Sequence, residues 1–193
     1  MRHLFLEFPY YTAEFLNVWM QSGDDTILDG IYDDWEGTAS YQPCIKSFFQ
    51  RIKSECPQTV FHGTDVGHQY ATTGQRYLEF LRENSKEDSE SYKLAQAAID
   101  QGKNYYEKAD DAYRENMLVE NFIAQYDPLD HVNIMGIYGS MHIGFDDMEA
   151  TGTVPSMANQ LKKVYGDHIS SEDLSWMVKD IKPLAIETLN VNG

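Results

Sequence analysis

Three stretches of the chain are almost continuously apolar rather than alternating between apolar and polar positions. They cover residues 3–8, 59–63 and 132–139, and a weaker run of the same kind covers 183–191. A continuous apolar run is typical of a parallel strand whose two faces are both covered by helices. The pattern therefore predicts three buried strands, with 183–191 as a less certain fourth.

Between these runs, apolar residues recur at helical spacing. Short amphipathic helices are predicted over residues 12–21 and 45–54, and a longer one over 66–83. The region from Lys86 to Tyr126 contains little Gly or Pro and much Ala, Glu, Lys and Tyr, so it predicts two more helices. The break between them is expected near Gly102 or near Ala109.

Two further helices are predicted near the end of the chain. The first covers 156–168, and Gly166 suits its C-cap because glycine tolerates the left-handed conformation found there. The second is short and begins after Ser170 or Ser171, either of which suits an N-cap.

Strands that alternate with helices predict an α/β fold. We expect a mostly parallel central sheet with helices on both faces, plus a helical insertion between the second and third strands. Residues 1–193 are predicted to form a single domain, since one domain typically holds about 100–200 residues. Residues 86–127 are expected to form a helical hairpin that stands apart.

The composition limits the choice of partners. Acidic residues outnumber basic ones 31 to 15, which gives a formal charge of −16. Such a surface repels phosphate backbones and anionic lipids, so nucleic acid and membrane are not expected partners. No run approaches the roughly 18 apolar residues that span a bilayer, and no signal peptide is evident. Cys44 and Cys56 match no zinc pattern and suggest reduced thiols of a cytoplasmic protein, with one surface disulfide as the alternative.

Ionisable side chains follow three of the predicted strands. Glu7 ends the first strand, the second is followed by His62, Asp65 and His68, and the third by His142. Ligands of open parallel sheets bind beyond the carboxyl ends of the strands. The sequence therefore predicts that these side chains share one site, although most of them also have a purely structural interpretation.

The structural alternatives differ in weight among these residues. Glu7 is equally well explained as an exposed strand end or a helix cap, and Asp65 is better explained as a turn residue or N-cap. His62 and His68 suit metal ligands only weakly. For His142 a functional role is favoured, because the glycines around it allow a turn that aims the imidazole back at the strand end.

Arg114 begins the segment RENMLVENFIAQYD, where a helix would place it on the same face as several apolar residues. A structural interpretation pairs it with surface acids, namely Glu107, Asp110 or Asp111. A functional interpretation has it hold a substrate anion or orient a carboxylate of the site.

Five short motifs occur in a familiar order. They are LFLEF, HGTD, RENMLVEN, GSMH and MANQLKKVYGD. The series resembles the erythromycin esterase-like family, within a grouping that includes ChaN-like and Tiki/TraB proteins, and the resemblance covers the chain from about Leu4 to Asp167. Members are α/β proteins with a deep cleft. Erythromycin esterases hydrolyse a macrolide lactone without a metal, Tiki-like relatives are metal-dependent peptidases, and ChaN-like proteins bind haem.

The resemblance implies a catalytic set for this chain. Glu7 matches the strand-end glutamate of the family, Arg114 the arginine of its helix motif, and His142 the histidine of its later loop, while Asp65 matches more loosely. One family feature has no counterpart: an earlier strand that ends in a Gly-Glu-x-x-His-like motif and supplies the usual general base. We therefore expect either a longer natural product or a reduced member. An unpaired sheet edge would then favour a homodimer or a covering segment.

Two hypotheses about function follow. In the first, the protein is a hydrolase of an ester, lactone or amide, in which His142 takes a proton from water. Glu7 would orient the imidazole or the water and stabilise the charge that forms, and Arg114 would bind an anionic group or stabilise an oxyanion. His62, Asp65 and His68 would contact the small-molecule substrate, and no metal or cofactor is required. In the second, the protein binds a small molecule or a divalent metal such as zinc in the same cleft without catalysis.

Overall fold

A computed structural model describes residues 2–130 and 132–177 and has the predicted α/β architecture. Three strands form a parallel sheet in the order β2-β1-β3, with β1 at His3–Pro9, β2 at Val60–Asp65 and β3 at Ile134–Ile137. His3 pairs with a β2 residue on one side and a β3 residue on the other. The fourth predicted strand, 183–191, lies outside the described residues.

Seven α-helices surround the sheet in this part of the chain. They are α1 (Tyr10–Gln21), α2 (Thr26–Asp34), α3 (Pro43–Glu55), α4 (Gln75–Glu83), α5 (Glu90–Lys108), α6 (Asp111–Tyr126) and α7 (Met157–Tyr165). Shorter helical turns occur at Tyr70–Gly74, Asp127–Leu129, Ser140–His142, Gly166–His168 and Ser175–Met177. No helix among the described residues is long and apolar enough to cross a membrane.

Two of the predicted helix ends are confirmed. Ala109 ends α5 in the left-handed conformation, so the break lies at this position and not at Gly102, which is inside the helix. Gly166 is the C-cap of α7, with a positive φ of 59°. The side chain of Asp110 then caps α6 by accepting a hydrogen bond from the backbone of Tyr113.

Other helix predictions were wrong. The segment 66–83 does not form one helix, because Gln69 adopts φ 50° and a π-helical turn precedes α4. Neither Ser170 nor Ser171 caps a helix; the side chain of Ser171 donates instead to the carbonyl of Ile143. The short helix α2 was not predicted at all.

Helices cover both faces of the central strand, as predicted. On one face, Leu4 and Leu6 pack into a core built mainly from α1 to α5. On the other face, Phe5 packs against residues of α6 and α7. The helical pair α5–α6 therefore does not stand apart, because its two members belong to the cores on opposite faces of the sheet.

Strand β3 is less covered than predicted. Met135 and Ile137 are 48% and 39% exposed, although both lie within the apolar run. The helices of the first core pack over β1 and β2 and leave this part of β3 open. Within the described residues β3 pairs only with β1, so it forms one edge of the sheet.

Helix α5 lies directly on the segment that follows β2. A Cβ atom on Gly102 would overlap the backbone carbonyl of Gly67, and a Cβ atom on Gly67 would overlap the carbonyl of Ala98. Two glycines thus allow backbone-to-backbone packing next to Asp65 and His68. This contact fixes the position of the loop that carries the chemistry described below.

We predict that Gly102→Ala destabilises the protein by about 1–3 kcal/mol, because the added methyl group would meet backbone that cannot move aside. At an ordinary helix position the same change would stabilise by about 1 kcal/mol. Urea unfolding measures the difference. Gly23→Ala is the control, since no atom lies within 4 Å of its Cβ position, and it should leave stability nearly unchanged. A Gly102→Ala variant as stable as wild type would contradict the packing.

Candidate active site

The carboxyl ends of the three strands bring the candidate residues together. Glu7 lies near the end of β1, Asp65 is the last residue of β2, and His142 lies in the turn that follows β3. The Nε2 atom of His142 is 3.4 Å from Oε1 of Glu7. The two groups that the sequence placed at one sheet edge therefore meet, although they are far apart along the chain.

Asp65 is the most deeply buried charge of this group, with only 1% exposure. Its carboxylate accepts a hydrogen bond from the backbone of Val66, and it contacts Nε2 of His68 at 2.9 Å and Nε of Arg114 at 3.0 Å. Burial alone would raise the pKa of this carboxyl. The hydrogen bonds and charges of His68 and Arg114 outweigh burial and hold the pKa well below its usual range.

Arg114 links Asp65 to Glu7. Its Nη2 atom donates to Oδ2 of Asp65 and, at 2.8 Å, to Oε1 of Glu7. The guanidinium also lies over the ring of Tyr105, 5.9 Å from its centroid. Of the alternatives drawn from the sequence, the structure matches the orientation of a site carboxylate, and not the surface pairing with Glu107, Asp110 or Asp111.

Glu7 is held by contacts at both of its oxygens. Oε1 faces Arg114 and His142, and Oε2 accepts a hydrogen bond of 2.6 Å from the backbone of Gly139. Burial opposes ionisation of Glu7. Even so, the hydrogen bond and charge of His142, together with the Gly139 N–H group, lower the pKa of this carboxyl. At neutral pH the group is a carboxylate fixed in one orientation.

His142 lies between two carboxylates. Its Nδ1 atom is 2.6 Å from Oε2 of Glu115, whose other oxygen accepts a hydrogen bond from the backbone of Met157 at the start of α7. Burial lowers the pKa of the imidazole, but the contacts with Glu115 and Glu7 prevail and raise it to about 9. The resulting stabilisation is complete below the ordinary pKa of 6.5 and is lost as pH rises through about 9.

Sequence analysis gave no role to Glu115. It is 2% exposed and immediately follows Arg114 at the start of α6. Because neighbouring helix residues point in different directions, Arg114 reaches Glu7 while Glu115 reaches His142. An acidic residue next to a candidate arginine in an apolar helix was the signal available, but its partner could not be known without the fold.

A cleft of about 350 Å³ opens beside this cluster. Its wall contains the cluster residues Glu7, Arg114, Glu115 and His142, together with Asp111, Gly139, Ser140, Met141, Glu149 and Ala150. No role was predicted for Glu149 from the sequence either. Its carboxylate is tied to the loop that follows it, through hydrogen bonds from Thr151 and Thr153.

The three residues predicted to contact substrate lie away from the cleft wall. His62 is inside β2, stacks on Phe5 at 4.4 Å, and contacts His3 through ring nitrogens 2.9 Å apart. Burial and the nearby His3 lower the pKa of His62 to about 4. Asp65 is buried and accepts hydrogen bonds from Arg114. His68 contacts Asp65 and the hydroxyl of Tyr106. None of the three therefore lines the cleft: Asp65 and His68 contact the cluster around Arg114, and His62 is separate from it.

Comparison with protein-family models, with characterised proteins and with solved structures finds no match to this chain. The site is therefore interpreted from its own geometry. Among residues 2–130 and 132–177, no group of three or more His, Cys, Asp or Glu side chains is arranged to hold a metal ion.

We predict that Arg114→Met destabilises the protein by about 3–5 kcal/mol at neutral pH, because it leaves the buried carboxylate of Asp65 without its cation. The double variant Arg114→Met/Asp65→Asn should recover much of this loss. Arg51→Met is the control, since Arg51 pairs with Glu55 on the exposed surface and its loss should leave the stability nearly unchanged. Equal losses in the two single variants, measured by urea unfolding, would contradict the account.

Proposed function

We propose that the protein is a hydrolase that acts on an ester, lactone or amide at the cleft beside His142. The observation that carries this proposal is the placement of the imidazole. Glu115 fixes Nδ1 at 2.6 Å, while Nε2 lies 3.4 Å from Oε1 of Glu7, and both Glu7 and His142 line the cleft. A histidine that a carboxylate orients through one nitrogen, with its other nitrogen beside a cleft, is the arrangement that hydrolases use for proton transfer.

In the proposed reaction, a water molecule in the cleft replaces Oε1 of Glu7 as the partner of Nε2 of His142, since the 3.4 Å between these two atoms leaves no room for a molecule between them. Nε2 of the neutral imidazole accepts a proton from this water as the oxygen attacks the carbonyl carbon of the substrate. The tetrahedral intermediate then collapses and expels an alcohol or amine, which takes the proton back from His142. Glu115 and Glu7 stabilise the imidazolium in between, since each carries a negative charge close to the ring.

Of the two functional roles that the sequence allowed for Arg114, we propose the orientation of a site carboxylate. The donors of Arg114 are directed at Asp65 and Glu7, so it positions Glu7 and does not bind a substrate anion. Counting the wall residues, the acids Glu7, Asp111, Glu115 and Glu149 outnumber the cations Arg114 and His142. We accordingly propose an uncharged substrate group at the reacting centre.

The raised pKa of His142 determines the pH dependence. Two pH units below a pKa of about 9, roughly one imidazole in a hundred is neutral and able to accept a proton. Hydrolysis should therefore rise about tenfold per pH unit from pH 6 and level off near pH 9. The measurement is kcat/KM for a small activated ester such as p-nitrophenyl acetate, corrected for hydrolysis without protein.

His142→Ala should lower kcat/KM at pH 9 by about 10²–10⁴-fold, the range of a positioned acid–base group. His3→Ala is the matched control, since His3 lies at the other end of β1 and should leave the rate unchanged. Equal rates in wild type and His142→Ala would overturn the proposal. A His142-dependent rate that instead falls as pH rises through 9 would assign the imidazole the role of proton donor.

A second candidate is a binding protein without catalytic activity. It is favoured by the same ionic contacts, because every charge of the cluster is already paired and His142 is protonated at neutral pH. Zinc or haem, added to the full-length protein, should then raise the melting temperature, and the shift should be absent in Glu7→Gln/His142→Ala. No shift with either ligand, together with His142-dependent turnover, would exclude this candidate.

A further inference from the structure

A larger and more apolar groove lies beside the charged cleft. Its volume is about 860 Å³, within the range of about 300–1,000 Å³ typical of small-molecule sites. It runs along β3, α7 and the segment 168–175, and its wall includes the exposed apolar residues Met135, Ile137 and Leu174. No side chain among residues 2–130 and 132–177 covers this part of β3, and an apolar surface of this extent on an acidic protein requires an explanation.

The groove and the cleft adjoin each other. Ser140 and His142 belong to the walls of both, so the imidazole that lines the charged cleft also lines the apolar groove. The neighbouring Ile143 also lies on the groove side. An elongated molecule could therefore place an apolar chain in the groove and a polar group beside His142.

Pairing with another strand is a weaker explanation for the open surface. Strand β3 has only four residues, and one of them, Gly136, has no side chain to pack. Short edge strands are poor templates for sheet extension. The presence of His142 in the wall of the groove, by contrast, has a direct use in substrate recognition.

We propose that the groove binds the acyl chain of the substrate, so that the protein acts on esters or amides of linear aliphatic acids with the carbonyl carbon beside His142. This inference rests on the proposed hydrolase function and specifies its substrate class. Burial of one methylene is worth about 0.8 kcal/mol when complete. Because the groove is open on one side, we expect about half of that, or roughly a twofold gain in kcat/KM per methylene.

The test uses the full-length protein and a series of p-nitrophenyl esters from acetate to dodecanoate, kept below their micelle concentrations. Wild type should show kcat/KM rising with chain length. Met135→Lys and Leu174→Asp should flatten this rise while keeping the rate on the acetate ester. Leu174 lies outside the helices and strands, so this variant remains informative if Met135→Lys fails to fold. Val164→Asp is the control, because Val164 is 55% exposed and outside the groove wall.

The outcomes separate this inference from the proposed function. If hydrolysis depends on His142 but kcat/KM does not change with chain length, the proposed acyl-binding groove is wrong and the proposed hydrolase function remains supported. If no ester is hydrolysed, calorimetry with 2-tridecanone, a ketone with the dodecanoyl chain and no bond to hydrolyse, tests the groove alone. Binding that is lost in Met135→Lys supports the groove, and absence of binding overturns it. A dimer in wild type that Met135→Lys converts to monomer also overturns it, since the groove is then a contact between copies.

Discussion

The carboxylate of Asp65 is almost completely removed from water, and a buried charge is tolerated only where another charge and several hydrogen bonds compensate for its lost hydration. Arg114 supplies that compensation and, with the same guanidinium, contacts Glu7. The end of β2, the end of β1 and the start of α6 are thereby joined through one side chain. The position of Glu7, and through it the environment of His142, depends on this contact.

Hydrogen bonds and ionic contacts link Glu7 to further parts of the fold. Glu7 contacts Gly139 and His142, which both lie in the turn after β3. His142 in turn contacts Glu115, which accepts a hydrogen bond from the backbone of Met157 at the start of α7. Acidic and basic groups alternate along this path, so each cation lies between two carboxylates. The arrangement holds both nitrogens of the imidazole next to carboxylates, which raises its pKa to about 9. It also means that the site exists only in the folded chain, since its members come from four separate elements.

The strand pattern was the most informative feature of the sequence. Continuous apolar runs located all three described strands, and the rule that parallel sheets bind ligands at their carboxyl ends brought Glu7 and His142 together correctly. His62 was wrongly counted among the residues at this edge, because it lies inside both the predicted strand 59–63 and the observed strand Val60–Asp65. Local pattern does not determine where a strand stops, since the last pairs depend on the register with a neighbour.

Other features depended on contacts that no local pattern contains. The role of Glu115 follows from the meeting of α6 with the turn after β3, and the exposure of Met135 and Ile137 follows from where the helices of the first core end. Gly102 suggested a helix break on propensity, yet it lies within α5 because the helix needs a residue without a side chain where it crosses Gly67. In each case tertiary packing decided against the local preference.

The most direct test of this account is an NMR titration of the His142 imidazole in the full-length protein, with isotope-labelled histidine and His142→Gln for assignment. The two carboxylates that flank the ring predict a pKa of about 9, with both nitrogens protonated throughout the neutral range. Glu115→Gln should bring the pKa substantially closer to 6.5. A wild-type His142 that already titrates near 6.5 would contradict the ionic contacts on which the proposed site is built.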